Sequence, residues 1–251
     1  MNKKILLFSL MIAMAGIGLT QAQTDFEIDI IKTEVGDLEI WCIGHGTVML
    51  KLNDAIIHID PVSREADYSM LPLADLILVT HEHGDHLDKK AISEITKSST
   101  QIFCNKESVA KLDMPLAKSI SNGEELDVHI LDQLNVKIEA VPAYNIKHER
   151  SPGIPFHKRG VGNRYIISIA GLRIYLAGDT EDIPEMADIK DIDVAFLPMN
   201  LPYTMSPEMV ALAARSFMPG ILYPYHFGST DTNKLLELLD DSGIEIRIRN
   251  F

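Results

Sequence analysis

Of residues 81–86, five can bind a metal: His81, Glu82, His83, Asp85 and His86. Imidazole and carboxylate are the donors that zinc and neighbouring first-row metals accept. The loop follows residues 76–79, a continuous apolar run short enough for a strand buried on both faces, and Thr80 ends that run. Gly84 is expected to take backbone angles that a Cβ would forbid, folding the loop's side chains toward one point. A solvated loop that happens to be rich in histidine is the bland alternative. It does not explain why three histidines and an aspartate crowd the end of a buried strand. A helical zincin site is excluded, because it needs H-E-x-x-H with both histidines on one helix face. Here the residue four after His81 is Asp85, and Gly84 interrupts any helix.

The elements that must position this loop read as strands and helices in alternation. Four strands are expected before it, at 26–31, 38–43, 47–52 and 55–59, with Gly36-Asp37 and Asn53-Asp54 as turns. After it, Asp88 caps a helix through about residue 97, with Ala91, Ile92 and Ile95 on one face. A strand at 101–104, a short helix from Asn105, and strands at 125–130 and 136–141 follow. The second half repeats the plan, with strands at 164–170, 172–177, 193–197 and 221–225. Its helices are expected at 207–217, with Ser206 as cap and Pro207 in the first position, and at 233–241, ended by Gly243. A last strand spans 244–248. Strands flanked by helices, twice over and with no linker-like break, predict an α/β protein of four layers, α/β/β/α.

The pattern His81-x-His83-x-Asp85-His86 resembles the signature loop of the metallo-β-lactamase-fold hydrolases. The branch it resembles is close to the ascorbate-phosphate-lactonase-like and phospholipase-D-like proteins. The resemblance implies the four-layer αββα sandwich of the metallo-β-lactamase type. It also implies that His81 and His83 hold metal one, and Asp85 and His86 metal two. Asp179, after Gly178, matches the carboxylate that bridges both metals, and His226 matches the last histidine ligand. Alone, the first would read as a common turn and the second as a surface residue at a strand end. Asp60 matches an aspartate that orients a ligand from behind. His45, between Gly44 and Gly46, is either a turn residue or, by the resemblance, a catalytic group near the metals. His58, mid-strand, reads as a packed or exposed strand residue.

One position departs from the family pattern. Many members supply a histidine between the first loop and the bridging aspartate, and here Asn145 stands at that place. Residues 146–163 follow, too long for a simple connection, and carry His148 and His157. The segments 143–145 and 156–158 resemble a poorly characterised branch of the superfamily. An amide oxygen is a weaker partner for zinc than imidazole, and the bends at Pro152-Gly153 and Pro155 can turn the segment back. The expectation is His157 as the third ligand of metal one, with Asn145 hydrogen-bonding to substrate or hydroxide. Lys158 and Arg159 would receive an anionic group, or else form a solvated basic loop.

Residues 1–22 read as a secretory signal: Met1-Asn2-Lys3-Lys4 is basic, 5–19 is apolar, and Thr20-Gln21-Ala22 suits cleavage after Ala22. The apolar run is short for a bilayer span and contains two glycines. The mature chain, residues 23–251, is therefore expected to be exported, periplasmic and without a stable membrane anchor. It is long enough for one domain with a proper core. The net charge of −13 argues against nucleic acid as a partner, since such proteins carry a basic footprint. Two cysteines, Cys42 and Cys104, cannot make a disulfide framework; they either pair in an oxidising compartment or stay as buried thiols.

These readings converge on a hydrolase with two divalent metal ions, zinc first, with manganese or iron as alternatives. A hydroxide stabilised by the metals would attack an ester, lactone or phosphoester in a small-molecule or lipid-like substrate. Asp85 would orient the hydroxide and return a proton to the leaving group. An iron-dependent redox enzyme on the same scaffold and a non-catalytic metal-binding protein are the competing readings, because a fold does not decide a function.

Overall fold

Alternating strands at the N-terminal end build the first sheet. In the computed structural model, which describes residues 26–131 and 134–251, that sheet runs in sequence order. Its strands are β1 (Glu27–Thr33), β2 (Gly36–Gly44), β3 (Thr47–Leu52), β4 (Ala55–Ile59), β5 (Ala74–Val79), β6 (Thr96–Cys104) and β7 (Ala117–Ser119). The expected signal sequence at 1–22 lies outside the described residues.

The second sheet comprises β8 (Glu125–Ile130), β9 (Leu134–Ala143), β12 (Gly162–Ile169), β13 (Leu172–Leu176), β14 (Val194–Pro198), β15 (Ile221–Tyr225) and β16 (Glu245–Ile246). A separate two-stranded hairpin, β10 (Glu149–Ser151) with β11 (Ile154–Pro155), stands in the long connection between β9 and β12. Both large sheets follow one plan: antiparallel through β1–β4 and through β8, β9, β12 and β13, then parallel to the far edge. The parallel strands need crossovers: 3₁₀ turns at Tyr68–Met70 and Pro184–Asp188 lie in those from β4 to β5 and from β13 to β14, and α-helices supply the other four. These are α1 (Lys89–Ile95), α2 (Lys106–Leu112), α3 (Pro207–Phe217) and α4 (Asn233–Leu239).

The apolar pattern explains the layering. On β5, Leu76 and Leu78 point into a central core shared by both sheets, while Ile77 and Val79 point to a helix-side core with Ala91, Ile92, Ile95 and Leu112. That is the period-two alternation of a strand buried on both faces, and each fully buried side chain of this kind contributes about 1.5–3 kcal/mol. A third core packs Val210, Ala214 and Phe217 of α3 and Leu235 and Leu239 of α4 on the outside of the second sheet. The layers are α/β/β/α, the fold class anticipated.

Two local expectations need correction, and one alternative left open by the sequence is decided. Helix α1 stops at Ile95 rather than near residue 97, and β6 begins at Thr96. The run Thr96-Lys97-Ser98-Ser99-Thr100 is poor in helix formers, and Thr100 is tied to Ala74 at 2.6 Å. The first hairpin reverses at Glu34-Val35, one step before Gly36, which already pairs with Thr33. The cysteines cannot pair: Cys42 lies on β2 facing the central core, Cys104 on β6 facing α1 and α2. Four strand spacings separate them, about 19 Å, far beyond the reach of a disulfide.

Candidate metal centre

The carboxyl ends of strands from both sheets meet at one rim. Ser206 and Asp88 cap their helices as expected, so the rim loops leave strands held in place on both sides. β5 delivers the loop 81–86, β13 delivers Asp179 after Gly178, β15 delivers His226, and the β2–β3 turn delivers His45. Six of the nine histidines of the chain gather there in two groups, each with one carboxylate. In each group the potential donor atoms lie within 4.8 Å of one another.

The first group is His81, His83, His157 and Asp179. His83 Nδ1 lies 3.1 Å from His81 Nε2 and 3.2 Å from His157 Nε2, and His157 Nε2 lies 3.3 Å from Asp179 Oδ2. Four donors around one zinc ion at tetrahedral angles stand about 3.4 Å apart, so these separations suit a shared cation. The second group is His45, Asp85, His86 and His226. His45 Nε2 is 3.3 Å from Asp85 Oδ2, and His226 Nε2 is 3.8 Å from the same oxygen. Asp179 reaches this group too: its Oδ1 lies 3.3 Å from His86 Nε2 and 3.4 Å from His226 Nε2.

Charge and burial fit the same conclusion. His86 Nε2, Asp179 Oδ1 and both ring nitrogens of His226 are buried with no well-aligned hydrogen-bond partner. Each such group costs about 1–3 kcal/mol unless something satisfies it, and cations between the two groups would do so. Burial and the neighbouring His86 push the His81 imidazole well below its ordinary value, so it is neutral, as a ligand must be. Burial and His157 lower His83 as well. Burial opposes charge on Asp179, but His226 and His86 hold its carboxyl well below the carboxylate range. Burial likewise opposes charge on His86, where Asp179 and Asp60 overcome it and raise the imidazole. A proton on His86 and a cation in front of it answer the same negative surroundings.

The support behind the donors is specific. Asp60 Oδ1 accepts from Thr80 N at 2.7 Å, and its Oδ2 accepts from Thr80 Oγ1 at 2.7 Å and from His86 Nδ1 at 2.8 Å. That holds Nε2 of His86 toward the centre, the orienting part anticipated for Asp60. His45, Asp60 and His226 all take left-handed backbone angles, with φ of 51°, 47° and 50°. Such strain in non-glycine residues gathers where function over-determines the geometry. The glycine that matters is Gly46, where a Cβ would stand 2.7 Å from His86 Cε1. Gly84 has no such duty: its φ is not positive, and a Cβ there would meet nothing within 4 Å. The tight loop is instead closed by backbone bonds from His86 N and Leu87 N to His83 O.

Several residues do not stand where the sequence put them. Asn145 does not face the centre. Its Oδ1 accepts from His157 Nδ1 at 2.7 Å and His157 N at 2.8 Å, while its Nδ2 donates to Glu181 Oε1 and Tyr203 O. The expectation that Asn145 contacts substrate or hydroxide is therefore corrected: it braces His157 from behind. Glu82 turns away to accept from Asn105 Nδ2 at 3.2 Å. Arg159 bonds Glu185 at 2.8 Å and covers the Tyr144 ring, so of the two expected cations Lys158 alone lines the groove. His45 is not an isolated turn residue, since its ring centroid lies 3.7 Å from that of His226, at a tilt of 40°, within the second group. His58 is buried against Pro72 O, and burial pushes it down to about 4.

A groove of two lobes crosses both groups. One lobe of about 410 Å³ is walled by Ile154, Pro155, Phe156 and Val161, and the other, of about 540 Å³, by Arg64, Asn200 and Tyr203. His83, Arg150, Phe156, His157 and Asp179 belong to both lobes. Arg150 carried no signal in the sequence beyond the length of the 146–163 segment, and Tyr203 carried none. Glu181 could have been noticed only by standing two residues after Asp179.

Comparison with known proteins agrees with this geometry. Residues 39–226 match the family described as Beta-lactamase superfamily domain. A UPF0173 metal-dependent hydrolase of Thermococcus kodakarensis is 31% identical over 195 residues, covering 74% of this chain and 83% of the relative. A crystal structure from Parabacteroides distasonis, of a protein assigned as a metal-dependent hydrolase, is 50% identical with a TM-score of 0.83, covering 90% of this chain and 99% of that one. Igni18, a metallo hydrolase from Ignicoccus hospitalis, shares the fold at 23% identity, with a TM-score of 0.67 over 85% of this chain and 95% of its own. Donor groups, strand ends and sequence match all lead to one place: this chain belongs to the β-lactamase superfamily domain family and has the metallo-β-lactamase fold.

Proposed function

We propose that the chain is a metal-dependent hydrolase with a dinuclear centre. His81, His83 and His157 would hold one divalent ion, His45, Asp85, His86 and His226 the other, and Asp179 would bridge them. The observation that carries this reading is the two-sided engagement of Asp179, with Oδ2 3.3 Å from His157 and Oδ1 3.3 Å from His86. An all-imidazole and carboxylate donor set suits zinc, and manganese or iron are accepted by the same atoms. Ions there would polarise the scissile group and let a water lose its proton near neutral pH.

The chain's own residues do the rest. Asp85, its side chain one-third exposed at the second lobe, accepts the proton of the attacking water and returns it to the leaving oxygen. Arg64 and Arg150 along that lobe suit an anionic substituent, and Ile154, Pro155 and Phe156 suit an apolar one. A small-molecule or lipid-like ester, lactone or phosphoester meets both requirements. The same reading includes export, supported by the pattern of residues 1–22; an N-terminus near Gln23 on protein from its host, read by mass spectrometry, is the expected result.

Elemental analysis after mild dialysis, followed by a hydrolysis screen run beside an oxygen-consumption assay, tests the function. Close to two ions per chain with ester or phosphoester cleavage is expected. Iron with oxygen uptake and no hydrolysis would favour the redox reading, and full metal loading without either activity the binding protein.

A further inference from the structure

The donor that reaches the centre from farthest away is His157, and the chain that carries it is tied down by one buried carboxylate. Glu181 is fully buried and receives five hydrogen bonds. Its Oε2 accepts from Ile146 N at 3.0 Å and Lys147 N at 2.8 Å. Its Oε1 accepts from His148 N and His148 Nδ1, both at 2.7 Å, and from Asn145 Nδ2 at 3.1 Å. Three successive backbone N–H groups converge on one carboxylate, an anion nest filled from within the chain. Burial works against charge on Glu181, but the Lys147 and His148 amides outweigh it and hold the carboxyl below its ordinary value.

The line continues to the metal centre. Glu181 orients the Asn145 amide, which leaves Oδ1 free to accept from His157 Nδ1 at 2.7 Å. That bond fixes the imidazole with its proton on Nδ1 and Nε2 toward Asp179, the tautomer a ligand through Nε2 requires. The same stretch carries Arg150 and Phe156 into the groove. Two carboxylates two residues apart in the chain thus serve opposite ends of one imidazole: Asp179 in front and Glu181 behind, through Asn145.

Building on the dinuclear reading above, we propose that Glu181 is a positioning residue, acting through Asn145, that sets His157 as a ligand of the first ion and docks the 146–161 segment over the groove. An outer-shell partner of this kind is worth about 10–100-fold in metal affinity. The second group, held by β2, β5 and β15 with no contact to Glu181, is the internal control.

Zinc affinity at each site is measured by competition with a chromophoric chelator for the wild type, Glu181→Gln, His157→Ala and the double variant. Glu181→Gln keeps the side-chain shape but opposes an amide N–H to the converging donors. It is expected to weaken one of the two ions about 10–100-fold while leaving the other unchanged. The double variant is expected to bind no worse than His157→Ala, because a residue acting through His157 adds nothing once His157 is gone. Equal weakening of both ions, or losses that add in the double variant, would assign Glu181 a general structural role and overturn the proposal. Should Glu181→Gln not fold, Asn145→Ala removes the link itself and must show the same one-site loss. Wild-type protein that holds no second ion would remove the dinuclear reading and this proposal together. Two ions in the wild type with none weakened in either variant would remove this proposal alone.

Discussion

The two halves of the centre are built differently. Three donors of the second group sit on or beside strand ends: His86, six residues past Thr80, is braced by Asp60, and His226 and His45 share a backbone bond of 2.9 Å and a close, tilted ring contact. The first group takes two donors from β5's loop but borrows its third from a segment outside both sheets. Sheet strands cannot shift without disturbing the central core, whereas a loop segment opens at small cost. The second group is therefore held by the fold, and the first by local hydrogen bonds that begin at Glu181. Bridging both, Asp179 is the one residue whose loss should not distinguish them.

The strongest test of this asymmetry is to remove what the halves share. Asp179→Ala is expected to release both ions, with a loss of affinity beyond the ~10–100-fold typical of outer-shell changes, whereas His226→Ala releases one. Metal content of the dialysed variants checks it; small and equal losses would reduce Asp179 to a turn residue. Next in size is Asp60→Ala, which strands His86 Nδ1 and two Thr80 donors in the core. A destabilisation of about 3 kcal/mol and a weaker second ion are expected in denaturant titration and metal competition. An unchanged second ion would deny Asp60 its orienting part.

Smaller and more selective is Gly46→Ala, whose Cβ must displace the His86 ring. It should weaken the second ion about 10-fold and spare the first, the mirror image of His157→Ala. Gly84→Ala sharpens the contrast, because open space surrounds that position. Stability within about 0.5 kcal/mol of wild type and full metal content are expected; a marked loss would show that Gly84 is conformationally required after all. Last, oxidation of the purified chain should produce no intramolecular disulfide, read as unchanged mobility with and without reductant, since Cys42 and Cys104 face different cores.

Local chemistry made much of this legible. The helix caps at Asp88, Asn105 and Ser206 need only a side-chain oxygen three residues or fewer from the amides they satisfy. Strands such as β3, β4 and β15 were readable because their apolar residues are packed on both faces. Harder were α1's end and the hairpin β10–β11, where neighbours from other elements decide the outcome: Ala74 captures Thr100, and Glu181 captures the amides of 146–148.

By itself the sequence determined the metal-binding loop at 81–86, the four-layer arrangement and the positions of Asp179 and His226 at strand ends, because donor type and apolar periodicity are properties of short stretches. Tertiary structure alone decided which nitrogen faces which oxygen. It brought His45 beside Asp85 across 40 residues and His157 beside His83 across 74. It also turned Asn145 from a group expected at the reacting atoms into a brace, because the buried charge of Glu181 lies behind it and an amide between a carboxylate and an imidazole can bond to both.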